Sequence, residues 1–345
     1  MSKDPRSRLL DWLRTGELPR PKDPTDAAAI GSAARTEKVA GLLYARLEEQ
    51  DAPWPQATRD VLRAGYVAVF ATGARRLDLA ARVTALLGAR DLRTLPLKGA
   101  AVAERGYDSV AERPMGDVDI LALDDFTSSV RVLREAGFRE REKADHAWAL
   151  VETASGDVVE LHHSVTSCAG FFPVETDGLW ARSRPGRGVI QRLPSAEDLL
   201  VHLSLHAAFQ HGLALTLVQH LDLRRVLERE RVDEDALLRI AAGARAEGAL
   251  AVALLAAETL VGAPLGGALR RALESRLPDG WRNNRARSVA RTRWALSRGR
   301  RLEFAWRTVA PQVPGVPTGL APRLLRASAR AASLLRRWGP EALRG

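Results

Sequence analysis

Cysteine is almost missing from this chain: Cys168 is the only one in 345 residues. A single thiol forms no intrachain disulfide and supplies no cysteine-rich zinc site. The "SVTS" before it is no recognised nucleophile context, so it reads as a passive thiol. Long apolar runs are missing as well. No stretch of about eighteen apolar residues occurs, the length a helix needs to cross a bilayer, and no membrane span is expected. The opening "MSKDPRSRLLDWLRTGELPRPKD" is charged throughout and holds no apolar signal core, so a cytoplasmic location is expected. Lysine is scarce: Lys3, Lys22, Lys38, Lys98 and Lys143 are the only ones among 52 basic residues. The net charge of +10 thus comes from arginine in an Arg-, Ala- and Leu-rich chain, and reads more simply as the bias of a GC-rich genome than as adaptation to a polyanion. No internal repeat of fixed period is visible.

What is present falls into three zones. Over 1–89, apolar residues recur at three- and four-residue spacing, interrupted by the turn signal "DAPWP", which predicts an N-terminal helical region. Residues 90–192 change character. "LRTLPL" reads as a strand, "KGAAVAERGY" as a turn opening a helix, "DVDILAL" as a strand, and "DDFTSSVRVLREAG" as a helix that starts on acids and stops at Gly137. "HAWALVE" and "VVELHHSV" then form a hairpin turned by "TASGD". From Ser195, a helix N-cap with Asp198 three residues on, helical spacing returns and predicts a C-terminal helical domain over 193–345. The proline-rich "APQVPGVPTGLAP" breaks it before a last basic helix over 322–338. The expected class is α+β.

Chemistry concentrates in the middle zone. In "RPMGDVDILAL", Asp117 and Asp119 share one face of a strand while Val118 and Ile120 face the other way. Two carboxylates that close repel unless a cation stands between them, and the candidates are a divalent ion or Arg113 reaching back. Upstream, "LKGAA" places Lys98 and Gly99 between a strand and a helix whose first amides are free to bind an anion, with Gly99 letting a phosphate approach the backbone. Downstream, Glu160 is a single acid in the apolar strand "VVELHH". Beside the aspartate strand it would bring a third carboxylate within about 5 Å. Hard oxygen ligands arranged this way hold Mg2+ or Mn2+.

With these residues in view, the sequence resembles the nucleotidyltransferase superfamily of the polymerase-β type. More narrowly, "LPLKGAAVAERGYDSVAERPMGDVDILAL", followed by "LREAGF", "VVELHHSV" and "SAEDLLVHLSLHAAFQHG", resembles a bacterial family of uncharacterised nucleotidyltransferases, over about 95 to 222. The resemblance implies a small mixed-sheet nucleotidyltransferase core flanked by helices. It implies Asp117, Asp119 and Glu160 as catalytic, metal-holding acids, and Gly99 as the first glycine of the helix-opening motif. Ala100 stands where the superfamily usually has Gly or Ser, and Glu160 where the narrower family often has Asp. The implied activity is transfer of a nucleoside monophosphate from an NTP to an acceptor hydroxyl, with Lys98, Gly99, Ala100 and Arg113 on the nucleotide side. Two alternatives stand beside it: a catalytically inactive binding module on the same fold, and a phosphohydrolase whose histidines hold the metal.

The histidines bear on that last alternative. His202 and His206 are spaced i, i+4 on one helical face, as a helical zinc pair requires, with His211 following. No Glu lies between them, and a core or interface role is the simpler reading. His162 shares the strand face of Glu160 and so borders the expected site, whereas His163 points to the other face. For the acceptor, the basic 322–338 segment carries an apolar stripe and only Trp338 as an aromatic, which suits a packed helix better than a strand-tracking surface. A small-molecule, peptide or protein acceptor is therefore expected ahead of a nucleic acid.

Overall fold

The structure, a computed structural model, describes residues 4–277, 289–297, 299–309 and 314. The basic helix expected over 322–338 lies outside the described residues. Asp4 caps α1 (Pro5–Thr15) and Asp23 caps α2 (Pro24–Thr36). Each is followed by a proline in the first helical turn, where a missing N–H costs nothing. After α3 (Ala40–Glu49), the "DAPWP" turn leads into α4 (Gln56–Gly88). This long helix buries Leu62, Leu79, Val83 and Leu87 and lies across the sheet and the segments around it.

The sheet is built from β1 (Thr94–Pro96), β2 (Val118–Ala122), β3 (Phe138–Lys143), β4 (Ala147–Glu152) and β5 (Val158–His162), in the spatial order β1-β2-β5-β4-β3. Only β2 and β5 run parallel; every other neighbouring pair is antiparallel. α5 (Lys98–Gly106) links β1 to the β2 approach, and α6 (Phe126–Glu135), capped by Asp125, leads from β2 towards the far edge. β2 is buried along its whole length, as an interior strand of a helix-covered sheet must be. Its start differs slightly from expectation, because Asp117 precedes the strand and Asp119 is within it. β3 was not expected at all. Its sequence "FREREK" offers one buried residue, Phe138, and it forms the sheet's edge, where charge protects an open row of backbone groups.

A short helix α7 (Thr176–Arg182) and a two-stranded ribbon of β6 (Arg184–Pro185) and β7 (Arg192–Leu193) lead to α8 (Ala196–Ser204). Ser195 caps α8 by accepting a hydrogen bond from the Asp198 amide. The helical spacing that begins at Ser195 widens after α8 into a π-helical turn over Leu205–Gln210. Beyond it come α9 (Leu217–Arg229), α10 (Glu234–Gly243), α11 (Glu247–Val261), α12 (Gly267–Ser275), α13 (Val289–Leu296) and α14 (Arg301–Val309). α5 packs against both α8 and α9, which fastens these later helices to the sheet. Among the described residues no helix is long and apolar enough to cross a membrane.

Candidate active site

The parallel pairing of β2 and β5 sets Asp119 directly opposite Glu160 and Leu121 opposite His162. Because strand side chains alternate, Asp119, Glu160 and His162 emerge on one face. One ligand-capable atom from each lies within 4.8 Å of the others. Glu160 therefore belongs to an interior strand, β5 lying between β2 and β4. Val118 and Ile120, on the opposite face, are fully buried and pin the register, since a one-residue slip would carry the carboxylates into the core.

Lys98 completes the cluster from the other side. β1 ends beside β2, with the Leu97 amide donating to the Asp119 carbonyl at 2.9 Å, so the next residue starts α5 at the mouth of the acidic face. Its ammonium donates to Asp119 Oδ1 at 2.5 Å and lies 3.9 Å from Glu160 Oε2. The same Oδ1 accepts from His162 Nε2 at 2.9 Å, and His162 Nε2 lies 3.6 Å from Glu160 Oε2. Lys98 sits at φ +42°, a left-handed conformation that costs a side-chain-bearing residue about 1 kcal/mol or more. Next to it, Gly99 has no room for a side chain: a Cβ there would meet Met115 Cγ at 2.9 Å.

Electrostatics follow from these distances. Burial pushes Asp117 up to about 6, reinforced by the neighbouring charges of Asp119 and Glu160. Burial alone would also raise Asp119, but Lys98 and His162 outweigh it and hold that carboxyl well below the usual range. The partners move the opposite way. Burial opposes protonation of Lys98 and His162, yet contact with the acids raises both. So the repulsion between Asp117 and Asp119 is answered by Lys98 in this structure, not by Arg113. Arg113 is committed elsewhere: its Nε and Nη2 hold Asp222 of α9, with Nη2 at 2.7 Å from Oδ2, and the Tyr107 hydroxyl donates to the same carboxylate at 2.9 Å.

These groups line a cavity of about 460 Å3, within the range of small-molecule sites. Lys98, Gly99, Arg113, Asp117, Asp119 and Glu160 are on its wall. Ala100 is not among them: its side chain is buried in the hydrophobic core. The histidines divide. His206 and His211 face the cavity, and the π-helical turn brings their Nε2 atoms to 3.2 Å of each other. His202 is 4% exposed and neither ring nitrogen has a partner; burial drives it down to about 3, so it stays neutral. His206 thus stacks on His202 with ring centroids 6.5 Å apart, but its closer partner is His211 at i, i+5, with centroids 4.5 Å apart. His163 points away and packs edge-on against Phe126.

Sequence reasoning missed His146 and gave no role to Asp222. His146 lines the cavity, its ring 5.5 Å from that of His162. Its only signal was its place at the start of the strand that pairs with β5.

No curated protein matches the chain. Among solved structures it is similar to the solution structure of the antibiotic-resistance factor ANT(2'')-Ia, at 13% identity and TM-score 0.37, over 49% of this chain and 91% of that one. The crystal structure of ANT(2'')-Ia in complex with adenylyl-2''-tobramycin gives 14% identity and TM-score 0.38, over 50% and 97%. An antigenic nucleotidyltransferase-like protein from Paracoccidioides brasiliensis gives 15% and 0.35, over 59% and 95%. The model of one protein family matches residues 23–262, a span that takes in the whole sheet, the acidic cluster and the Arg113–Asp222 pair. The chain belongs to that family, the uncharacterised nucleotidyltransferases.

Proposed function

We propose that this protein transfers a nucleoside monophosphate from an NTP to a hydroxyl of a small-molecule, peptide or protein acceptor. The observation that carries the reading is the register of Asp119 with Glu160 beside the Lys98-Gly99 start of α5, all on one cavity. The family implies a divalent cation, and the donor set suits one: Asp119, Glu160 and Asp117 offer hard carboxylate oxygens, with His162 adjacent. The cluster's demand for positive charge is already visible in its hold on Lys98. Asp117, Asp119 and Glu160 would hold Mg2+ or Mn2+, which supplies charge neutralisation on the phosphates and acidifies the acceptor hydroxyl.

In the reaction, a bond forms from the acceptor oxygen to the α-phosphorus, the α–β phosphoanhydride bond breaks, and pyrophosphate leaves. Glu160, only partly buried and facing the cavity, is placed to take the hydroxyl proton. The start of α5 at Lys98-Gly99 is on the cavity wall, where its first amides can meet a phosphate, and Lys98 has the reach and charge to do so. Arg113 acts through its hold on Asp222 to fix the "RPMGD" turn that carries Asp117. The histidine phosphohydrolase reading has less support, because the one group of three metal-capable side chains among the described residues is Asp119, Glu160 and His162.

The test is to incubate purified protein with Mg2+ and α-labelled NTPs against panels of aminoglycosides and other polyols, peptides and whole-cell protein. Mass spectrometry should find an adduct heavier by one nucleoside monophosphate, absent with Asp119→Asn. Triphosphate binding without any transfer across these panels would favour the inactive binding module.

A further inference from the structure

We propose that Lys98 is the resident counter-ion of the acidic cluster, which a divalent cation must displace from Asp119 before the acids can hold it. The inference rests on the metal-holding role of Asp117, Asp119 and Glu160 given above.

Three observations lead to it. The Lys98 ammonium lies between the two carboxylates that would be ligands, at 2.5 Å from Asp119 Oδ1 and 3.9 Å from Glu160 Oε2. Because Oδ1 also accepts from His162 at 2.9 Å, that oxygen is already shared by two donors. An ammonium and a divalent ion so close would repel each other, so one must leave. Second, neither of the other cations on this wall replaces it, since Arg113 is held by Asp222, whose carboxylate also accepts from Tyr107, and Lys38 is an exposed residue between α2 and α3. Third, residue type and backbone suit a group that moves. Lysine is a compact point charge on a flexible stem that releases a single contact, where arginine would hold a carboxylate by two. This chain has only five lysines among its 52 basic residues. Lys98 also sits in a left-handed conformation at φ +42°, immediately before Gly99, the residue best able to absorb a backbone change.

The consequence is an exchange. With no metal or nucleotide bound, Lys98 neutralises Asp119 and keeps the cluster folded; when a metal enters, the ammonium is released toward the cavity, where triphosphate oxygens offer it new partners. The site thus favours arrival of metal together with nucleotide over metal alone.

The test is Mn2+ binding without nucleotide, by calorimetry and by the electron paramagnetic resonance of free Mn2+, for the wild type, Lys98→Met, Lys98→Arg and Asp119→Asn. Lys98→Gln is carried alongside in case Met is not tolerated. Lys98→Met or Lys98→Gln should bind Mn2+ about tenfold or more tightly than the wild type, as removal of a nearby like charge requires. Lys98→Arg should show no such gain. Metal-free Lys98→Met should melt below the wild type, and Mn2+ should raise its melting temperature by the larger increment. Equal or weaker Mn2+ binding by Lys98→Met and Lys98→Gln would overturn the proposal, while binding lost in Asp119→Asn would still support the acidic site. No Mn2+ binding by any form would remove both.

Discussion

Asp119 collects two donors on one oxygen, and each contributes something different. Lys98 supplies charge, whereas His162, buried on the same face of the sheet, supplies direction. Asp119→Asn keeps the shape of the side chain and removes its charge, so it should leave the fold intact. Its loss of transfer should exceed the roughly 10–100-fold that partners behind a metal ligand typically cost. Circular dichroism and turnover on any acceptor found will check this, and full activity in the mutant would end the metal-ligand assignment. His162 should fall within that 10–100-fold range. His162→Gln retains an N–H near the position of Nε2 and should keep more activity than His162→Leu, with the two equal in thermal stability only if direction is unimportant. Both roles were partly legible beforehand: the i, i+2 rule put Asp117 with Asp119 and Glu160 with His162. The identity of the counter-ion was not, because Lys98 and Asp119 are 21 residues apart and meet only through the β1–β2 pairing.

At the level of elements, the strands and helices with strong periodicity were readable and those governed by tertiary contact were not. β3 is a charged edge whose pairing with β4 decides its conformation. The π-helical turn is invisible to helical periodicity, since the residues around it have the spacing of an ordinary helix, and only the structure shows His206 against His211. The link between α9 and the "RPMGD" turn was equally hidden. Arg113 and Asp222 are both buried, and this pair joins segments 109 residues apart. Removing one partner strands a charge in the interior, which typically costs about 3–5 kcal/mol. Arg113→Met should therefore lower the melting temperature by several degrees and reduce activity at once, whereas the double change Arg113→Met with Asp222→Leu should recover much of the stability without the activity. Denaturant unfolding of these two variants and of Asp222→Leu alone checks this; additive losses would mean that the pair is not a unit.

For the whole molecule, the two global properties to account for are its charge and its buried histidines. Many arginines of the described residues are tied to acids, for example Arg82 to Asp78 and Glu152, Arg93 to Asp124 and Asp177, and Arg182 to Asp198. The net charge of +10 is thus spread between ion pairs, and RNA binding measured by filter retention should be weak and vanish by roughly 0.2 M salt, as counterion release alone dictates. The histidines make a sharper forecast. Burial holds His202 down at about 3 and His163 and His220 at about 4, against an ordinary 6.5. Below pH 6.5 the unfolded chain takes up protons that these folded sites refuse, so stability present above that pH is lost as pH falls towards 4. At pH 5 each site contributes a loss on the order of 2 kcal/mol. His162, Asp117 and Glu112 work in the other direction, being raised, but they stand against five lowered histidines, since His206 and His211 are depressed as well. Melting temperature should therefore drop steeply between pH 6.5 and 5. His220, which lies on α9 and does not line the cavity, allows a clean check, because His220→Gln cannot titrate and should flatten that drop while leaving metal binding unchanged. A wild type whose melting point is constant over this window, or a mutant with an undiminished slope, would show that the buried histidines are protonated in the folded protein.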